Sequence, residues 1–253
     1  MINLTGRVAL ATGSSRGIGR ACAERLADAG ADVVINYITS KNAAEEVAQS
    51  IAAKGRNCYV VKADVSEKDD VESLADFIKR EIGQLDIVVS NAATGGFRPL
   101  LNTSENNFRA AFNTNALSLI YLVQATYPLL QKAKGRGKVI GLSSHGAEAA
   151  IPWYGLIGAS KAALESIARH ITLEVGEHVN VNIVKAGLVD TDSTRRIPNS
   201  QEMFDSRSAR SIVGARFLTA KDVADAVLFL SSPLSDLVQG QILTVDGGEG
   251  IHP

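Results

Sequence analysis

The stretch from Val8 to Gly19 constrains the fold more than any other part of this chain. A short aliphatic run, Val8-Ala9-Leu10-Ala11-Thr12, passes directly into Gly13-Ser14-Ser15-Arg16-Gly17-Ile18-Gly19, where an amphipathic pattern begins. A strand that stops at glycines and continues as a helix opens a βαβ unit. The glycines let the backbone turn tightly, and they keep Cβ atoms away from the amides at the positive end of the helix, where a pyrophosphate can approach. A purely structural turn is the alternative. The position between the first strand and the first helix favours dinucleotide binding by Gly13, Ser14, Ser15, Arg16, Gly17, Ile18 and Gly19.

The rest of the chain repeats this alternation. Runs rich in Val and Ile predict strands at 8–12, 32–36, 58–62, 87–90, 138–143, 180–184 and 241–245. Amphipathic patterns between them predict helices at 17–29, 42–54, 68–82, 105–130, 152–175 and 220–229. Seven strands alternating with helices specify an α/β fold: a single Rossmann-type, doubly wound parallel sheet over residues 1–253. The segment 190–216 breaks the alternation after the sixth strand. It is polar and arginine-rich, and it reads as a helical lid over a substrate pocket.

Composition narrows the class. With 253 residues, 45% of them hydrophobic, 21% charged and a formal net charge of −1, the chain has enough apolar mass for one full core and no excess of basic residues to hold nucleic acid. No apolar run approaches the length of a membrane span. Nor does the amino terminus have the basic and apolar regions of a signal peptide, so a cytoplasmic protein is expected. Cys22 and Cys58 lack metal-ligand spacing and read as reduced structural thiols; no metal site is expected.

The end of the second strand bears on which dinucleotide binds. NAD-preferring sites place an Asp or Glu there for the ribose hydroxyls, whereas this chain has Asn36-Tyr37-Ile38-Thr39-Ser40-Lys41. Arg16, Ser40 and Lys41 offer charge-assisted hydrogen bonds to a 2′-phosphate, so NADPH is expected over NADH, with solvated surface charges as the alternative. Two more strand ends point into the same crevice: Asp64-Val65, placed for the adenine, and Asn91-Ala92-Ala93, whose small side chains permit close approach of the cofactor.

Tyr154 and Lys161 carry the expected chemistry. Seven residues at roughly 100° each make nearly two helical turns, which puts a phenol and an ammonium on one face about 10 Å apart along the axis. A nearby cation favours the phenolate and so eases proton transfer from the phenol. His145 is a further acid or base candidate, and Ser143 and Ser144 end the fifth strand, where ordinary turn residues are the alternative.

Taken together, the glycine turn, Asp64-Val65 and Ser90-Asn91-Ala92-Ala93 resemble the short-chain dehydrogenase/reductase family, and the resemblance runs from Arg7 to Gly248. It implies that Asn115 supports the active-site lysine through a water, that Gly187, Val189 and Thr191 hold the nicotinamide carboxamide and nearby phosphate, and that Asp246-Gly247-Gly248 is the closing motif. Most members carry Tyr-x-x-x-Lys, yet four residues before Lys161 stands Ile157, which cannot transfer a proton. The spacing Tyr154-x6-Lys161 resembles the divergent branch, the enoyl-acyl carrier protein reductases, and in particular their NADPH-dependent type. That resemblance implies Tyr154, Lys161, Asn115 and Ser144 as catalytic residues, an acyl carrier protein or coenzyme A thioester as substrate, a role in fatty acid or related biosynthesis, and a homotetramer. A ketone or 3-oxoacyl thioester reductase is the alternative enzyme, and an NADP-binding protein without turnover the alternative of another class. Arg195, Arg196, Arg207 and Arg210 in the lid are placed to steer an acidic carrier, with solvation of an exposed helix explaining them as well. The cluster Lys132, Lys134, Arg136 and Lys138 reads as a solvated turn.

Overall fold

Aliphatic runs become strands here because both faces of the sheet are covered, so Val and Ile need no alternation with polar residues. In the computed structural model, which describes residues 2–214 and 216–251, seven strands form one parallel sheet in the order β3-β2-β1-β4-β5-β6-β7. They are β1 (Val8–Ala11), β2 (Asp32–Tyr37), β3 (Cys58–Lys62), β4 (Ile87–Ser90), β5 (Gly137–Ser144), β6 (Val179–Ala186) and β7 (Ile242–Val245). The chain winds outward from β1 in one direction through β3, then returns to β4 on the other side. That reversal between β1 and β4 opens a crevice at the carboxyl ends of the strands.

Helices α1 (Gly17–Asp28), α2 (Lys41–Ala52), α3 (Lys68–Glu81), α4 (Glu105–Phe112), α5 (Ser118–Leu130), α6 (Gly155–Val175), α7 (Ser200–Arg210) and α8 (Ala220–Leu230) flank the sheet. One core packs α1, α2 and α8 under one face, with Leu26, Val47 and Val227 at 0% exposure; the other packs α3, α5 and α6 under the opposite face around Ile78, Leu119 and Leu164. No described helix is long and apolar enough to cross a membrane. Both thiols are free, and burial pushes each up to about 12, which leaves them inert at neutral pH.

Three differences from the sequence reading have physical causes. The segment 105–130 is broken by a π-helical turn, Asn113–Leu117, whose wider ring is invisible to a 3.6-residue periodicity. The sixth helix starts at Gly155 rather than 152, because Trp153 takes the left-handed conformation at φ 65 and Tyr154 serves as the N-cap. The basic cluster before β5 is a solvated turn only in part: Lys132 and Lys134 are exposed, whereas Arg136 and Lys138 are drawn in. Lys138, only 1% exposed, donates to Asn180, Ser235 and Asp236; Arg136 donates to Asn180 and to the Glu177 carbonyl; and Lys134 donates to the Gly6 carbonyl. These cations stitch together the amino edge of the sheet.

Asp86 anchors that same edge. Fully buried, it accepts hydrogen bonds from the amides of Val8 and Lys134, at 2.8 Å each, and from the Gln84 side chain. Asp86→Asn sets an amide N–H against one of those donors, and the expected loss of stability is about 1.5–3 kcal/mol, read as a lower urea midpoint at unchanged m-value. A midpoint equal to that of the parent protein would remove this role.

Candidate active site

The carboxyl ends of β1, β2 and β4 close on one another through side chains that reach across to neighbouring backbone. The Thr12 hydroxyl donates to the Val89 carbonyl and accepts from the amides of Asn91 and Ala92 at 3.0 and 3.1 Å. Asn91 returns its own side-chain N–H groups to the carbonyls of Thr12 and Gly13. Asn36, 1% exposed, accepts from the Gly13 amide at 3.2 Å and donates to the Ala63 carbonyl at 2.9 Å. Its side chain therefore shapes the turn from within rather than presenting a free polar group to a ribose. Ser14 is likewise turned inward, donating to the Ala11 carbonyl at 2.6 Å.

The glycines matter where contact is closest. A Cβ on Gly13 would lie 2.9 Å from the Ala92 Cα, and one on Gly19 would lie 2.4 Å from the Asn91 side-chain nitrogen and 2.6 Å from the Gly13 carbonyl oxygen. Helix α1 begins with no side-chain cap and no acidic residue in its first turn, so its positive end remains available to an anion. This turn opens onto a cavity of about 690 Å³ that runs along the whole carboxyl edge of the sheet.

Of the residues expected to hold a dinucleotide, Gly13, Ser15, Arg16, Gly17 and Ile18 line the cavity from the turn. Asn36, Tyr37, Ser40 and Asp64 line it from the ends of β2 and β3, and Asn91, Ala92 and Ala93 from β4. Gly187, Val189 and Thr191 close it beyond β6. Ser14, Gly19, Val65 and Asn115 stand behind this surface, Val65 being core at 1% exposure, whereas Lys41 is exposed outside the cavity lining and turns along α2 toward Glu45 at 3.5 Å. At the ribose corner the cavity therefore meets the exposed Arg16 together with the hydroxyls of Thr39 and Ser40, and β2 contributes no carboxylate. A phosphate-bearing ribose fits that donor set.

The reactive end lies where β5 meets α6. Lys161, 6% exposed, donates to the Leu142 carbonyl at 2.7 Å, and burial pulls its pKa down to about 8. Tyr154 also lines the cavity; its ring stacks on Phe97 at 6.1 Å and lies so close over Gly146 that a Cβ there would sit 2.4 Å from the ring. Burial pushes the phenol above its ordinary pKa, while a hydrogen bond with Ser144 pulls the other way. Burial is the larger influence, so the phenol is held in its protonated form. Ile157 is 7% exposed and packs against Gly95, where an added Cβ would come within 2.4 Å of it; it does not line the cavity. Asn115 sits in the π-helical turn, accepting from the Thr94 amide at 2.7 Å and donating to the Thr94 carbonyl and the Ser160 hydroxyl. It thereby braces the loop after β4 against α6, next to Lys161.

Two charged groupings escaped the sequence reading. Lys185 on β6, 2% exposed, lies between Glu165 at 3.3 Å and Glu148, and Ser143 donates to Glu165 at 2.6 Å. A lysine inside the apolar strand run Val179–Ala186 was the available signal, since a cation there needs a buried partner. His145 lies 2.9 Å from Asp246 of the closing segment, and Arg207 of α7 pairs with the buried Glu249. In the lid, Arg195 pairs with Asp190 on the surface, Met203 faces the cavity, and Phe204 packs edge-on to Phe217 at 6.2 Å.

Lys161 gives this site a pH limit. With its folded pKa lowered to about 8, the ammonium is present below that pH and lost as pH rises through it. Dinucleotide affinity, followed by nucleotide fluorescence, is expected to weaken from pH 7 to pH 9, and Lys161→Met is expected to flatten that dependence. An equally steep profile in the variant would exclude Lys161 as its source.

Comparison with known proteins agrees with this geometry. The sequence model of the family described as Enoyl-(Acyl carrier protein) reductase matches residues 13–249. The chain is 34% identical to the hydroxynaphthalene reductase-like protein Arp2 of Metarhizium robertsii, covering 97% of this chain and 96% of that one. It is 33% identical to 1-cyclohexenylcarbonyl-CoA reductase of Streptomyces collinus, covering 97% and 87%. A short chain dehydrogenase from Burkholderia cenocepacia, solved in complex with NADP, superposes with a TM-score of 0.88 at 33% identity over 98% of this chain and 99% of that one. With its seven-stranded parallel sheet and its glycine turn opening α1, the chain belongs to the short-chain dehydrogenase/reductase family, within the group that this enoyl reductase model describes.

Proposed function

We propose that this oxidoreductase uses NADPH to reduce the carbon–carbon double bond of an α,β-unsaturated thioester. One observation carries the reading: Tyr154 lines the cavity beside Ser144 and Lys161, while Ile157, at the position of the family's usual tyrosine, is sealed against Gly95 outside it. A relative named as a 1-cyclohexenylcarbonyl-CoA reductase, and a neighbour solved with NADP, support the substrate class and the cofactor. Arg16, Thr39 and Ser40 are the groups that would hold the 2′-phosphate.

When bound, the nicotinamide supplies a hydride to the carbon β to the thioester carbonyl. Negative charge then develops on the thioester oxygen as an enolate, and the α-carbon takes up a proton to give the saturated thioester. The hydrogen-bond donor to that oxygen must stand further from the hydride than in ketone reduction, because two carbons separate the hydride acceptor from the oxygen. A phenol about one helical turn, or 4.5 Å, nearer the amino end than the usual position supplies that offset. Tyr154, kept protonated by burial, donates a hydrogen bond to the developing oxyanion, an interaction worth about 3 kcal/mol in well-placed cases. Ser144 orients the phenol, and Lys161 binds the ribose and adds positive charge. The carrier of the acyl group in this reading is an acyl carrier protein or coenzyme A, within cytoplasmic fatty acid or related biosynthesis.

The same reading includes a homotetramer. Leu237 is 100% exposed, Leu101 99% and Leu173 84%, apolar side chains that subunit contacts would cover. Light scattering at micromolar concentration is expected to give four times the monomer mass, and a monomer would exclude this assembly.

Following NADPH absorbance with crotonyl or acetoacetyl thioester separates the activities. Consumption with crotonyl is expected; consumption with acetoacetyl alone would establish ketone reduction, and none with either would point to a binding protein. Tyr154→Phe is expected to lower kcat about a hundredfold, given the size of the lost stabilisation, and to leave NADPH affinity nearly unchanged. Full activity in that variant would take the tyrosine out of the mechanism.

A further inference from the structure

The wall of the cavity formed by the lid and the closing segment is charged, which a pocket for a plain hydrocarbon chain would not be. Arg207, on α7, and Glu249, just beyond β7, both line the cavity that Tyr154 and Ser144 line. They form an ion pair in which the Glu249 side chain is 5% exposed and that of Arg207 25%. His145 stands in the same wall, 15% exposed and 2.9 Å from Asp246, whose carboxylate is fixed by the amides of Gly248 and Gly250 at 2.8 and 2.9 Å. The closing segment also holds the lid down, since the Gly247 carbonyl accepts the Ile212 amide at 2.9 Å. Arg207 is therefore held in place by built structure and not by a chance surface contact. Met203, Ile151 and Ile197 line the cavity as well, an apolar contribution alongside these charges.

We infer that Arg207 is a specificity residue for an uncharged oxygen on the acyl group, so that the substrate is an oxygenated enoyl thioester rather than a simple alkyl one. The inference rests on the enoyl thioester reading above. Three ligand chemistries compete for this wall, and charge decides among them. An alkyl terminus would strip water from the Arg207–Glu249 pair and return no hydrogen bond. A carboxylate or phosphate would meet the Glu249 carboxylate, with the guanidinium charge of Arg207 already matched by it. A hydroxyl or carbonyl oxygen accepts from the guanidinium N–H groups that Glu249 leaves unused and adds no charge.

The test compares trans-2-enoyl thioesters of coenzyme A with six carbons that end in methyl, hydroxyl or carboxylate, with crotonyl thioester alongside. The parent protein is expected to favour the hydroxyl over both others by about tenfold or more in kcat/KM, the size of a hydrogen bond to a charged donor. Because Arg207→Met alone leaves Glu249 buried and unpaired, the double variant Arg207→Met with Glu249→Gln accompanies it, and in both the hydroxyl-to-methyl ratio is expected to fall to about one. Crotonyl turnover with a parent ratio of one or less would overturn the inference and leave the enoyl reading standing. A ratio that persists in the double variant would overturn it too. No turnover of any of the four thioesters would remove the enoyl reading and, with it, this assignment.

Discussion

Everything at the functional edge depends on β1 and β4 ending close enough for their turns to touch. Parallel strands leave carbonyl and amide groups unpaired at their carboxyl ends, and in this protein those groups are satisfied by Thr12, Asn36 and Asn91 reaching to a neighbouring strand end. The arrangement admits no Cβ at Gly13 or Gly19, because the space a methyl group would fill is occupied by Ala92 and Asn91. The glycines thus serve the protein before they serve any ligand: they allow the two halves of the sheet to meet, and the crevice between the halves is the consequence.

Displacement of the phenol rests on a second local constraint. Trp153, a bulky residue at φ 65, carries a conformation that costs energy outside glycine, and it is retained where the following residue must leave the helix axis. Its carbonyl accepts the Arg98 amide at 2.9 Å, so the segment after β4 holds the strained turn in place while Phe97 of that segment stacks on Tyr154. Tyr154 is consequently fixed from the β4 side and from Gly146 beneath it, rather than by a helical turn of its own. Two successive glycines, Gly95 and Gly96, let that segment bend closely enough to bury Ile157 on one side and pack Arg98 on the other.

What the sequence made legible follows from which interactions are local. Seven aliphatic runs and the glycine turn carry their own periodicity, so the sheet, its crevice and the pair Tyr154 and Lys161 could be placed in advance. The π-helical turn around Asn115 and the late start of α6 could not, since a widened ring and a left-handed tryptophan leave no mark in hydrophobic spacing. Partnerships across the fold were hidden for a different reason. Lys138 meets Asp236 and Lys185 meets Glu165 only after the sheet has brought β5, β6 and their helices together, and a run of cations read alone looks like a solvated surface. Asn36 shows the same limit at one residue: its position beside the ribose corner was legible, but its commitment to the Gly13 amide and Ala63 carbonyl was not.

Lys161 links this architecture to ligand preference. An ammonium has three N–H donors, and among the described residues one acceptor, the Leu142 carbonyl, is hydrogen-bonded to it. Burial of a cation with so few partners disfavours the charge, which is the physical reason its pKa falls to about 8. Hydroxyl oxygens of a bound ribose would supply further acceptors and stabilise the ammonium, so ligand binding and protonation of Lys161 favour each other. The same enclosure acts on Tyr154 in the opposite direction, keeping the phenol neutral. In the enoyl reductase reading proposed above, both shifts serve one end: a neutral phenol is the form that can donate to growing oxyanion charge, and a bound ribose would raise the charged fraction of the lysine.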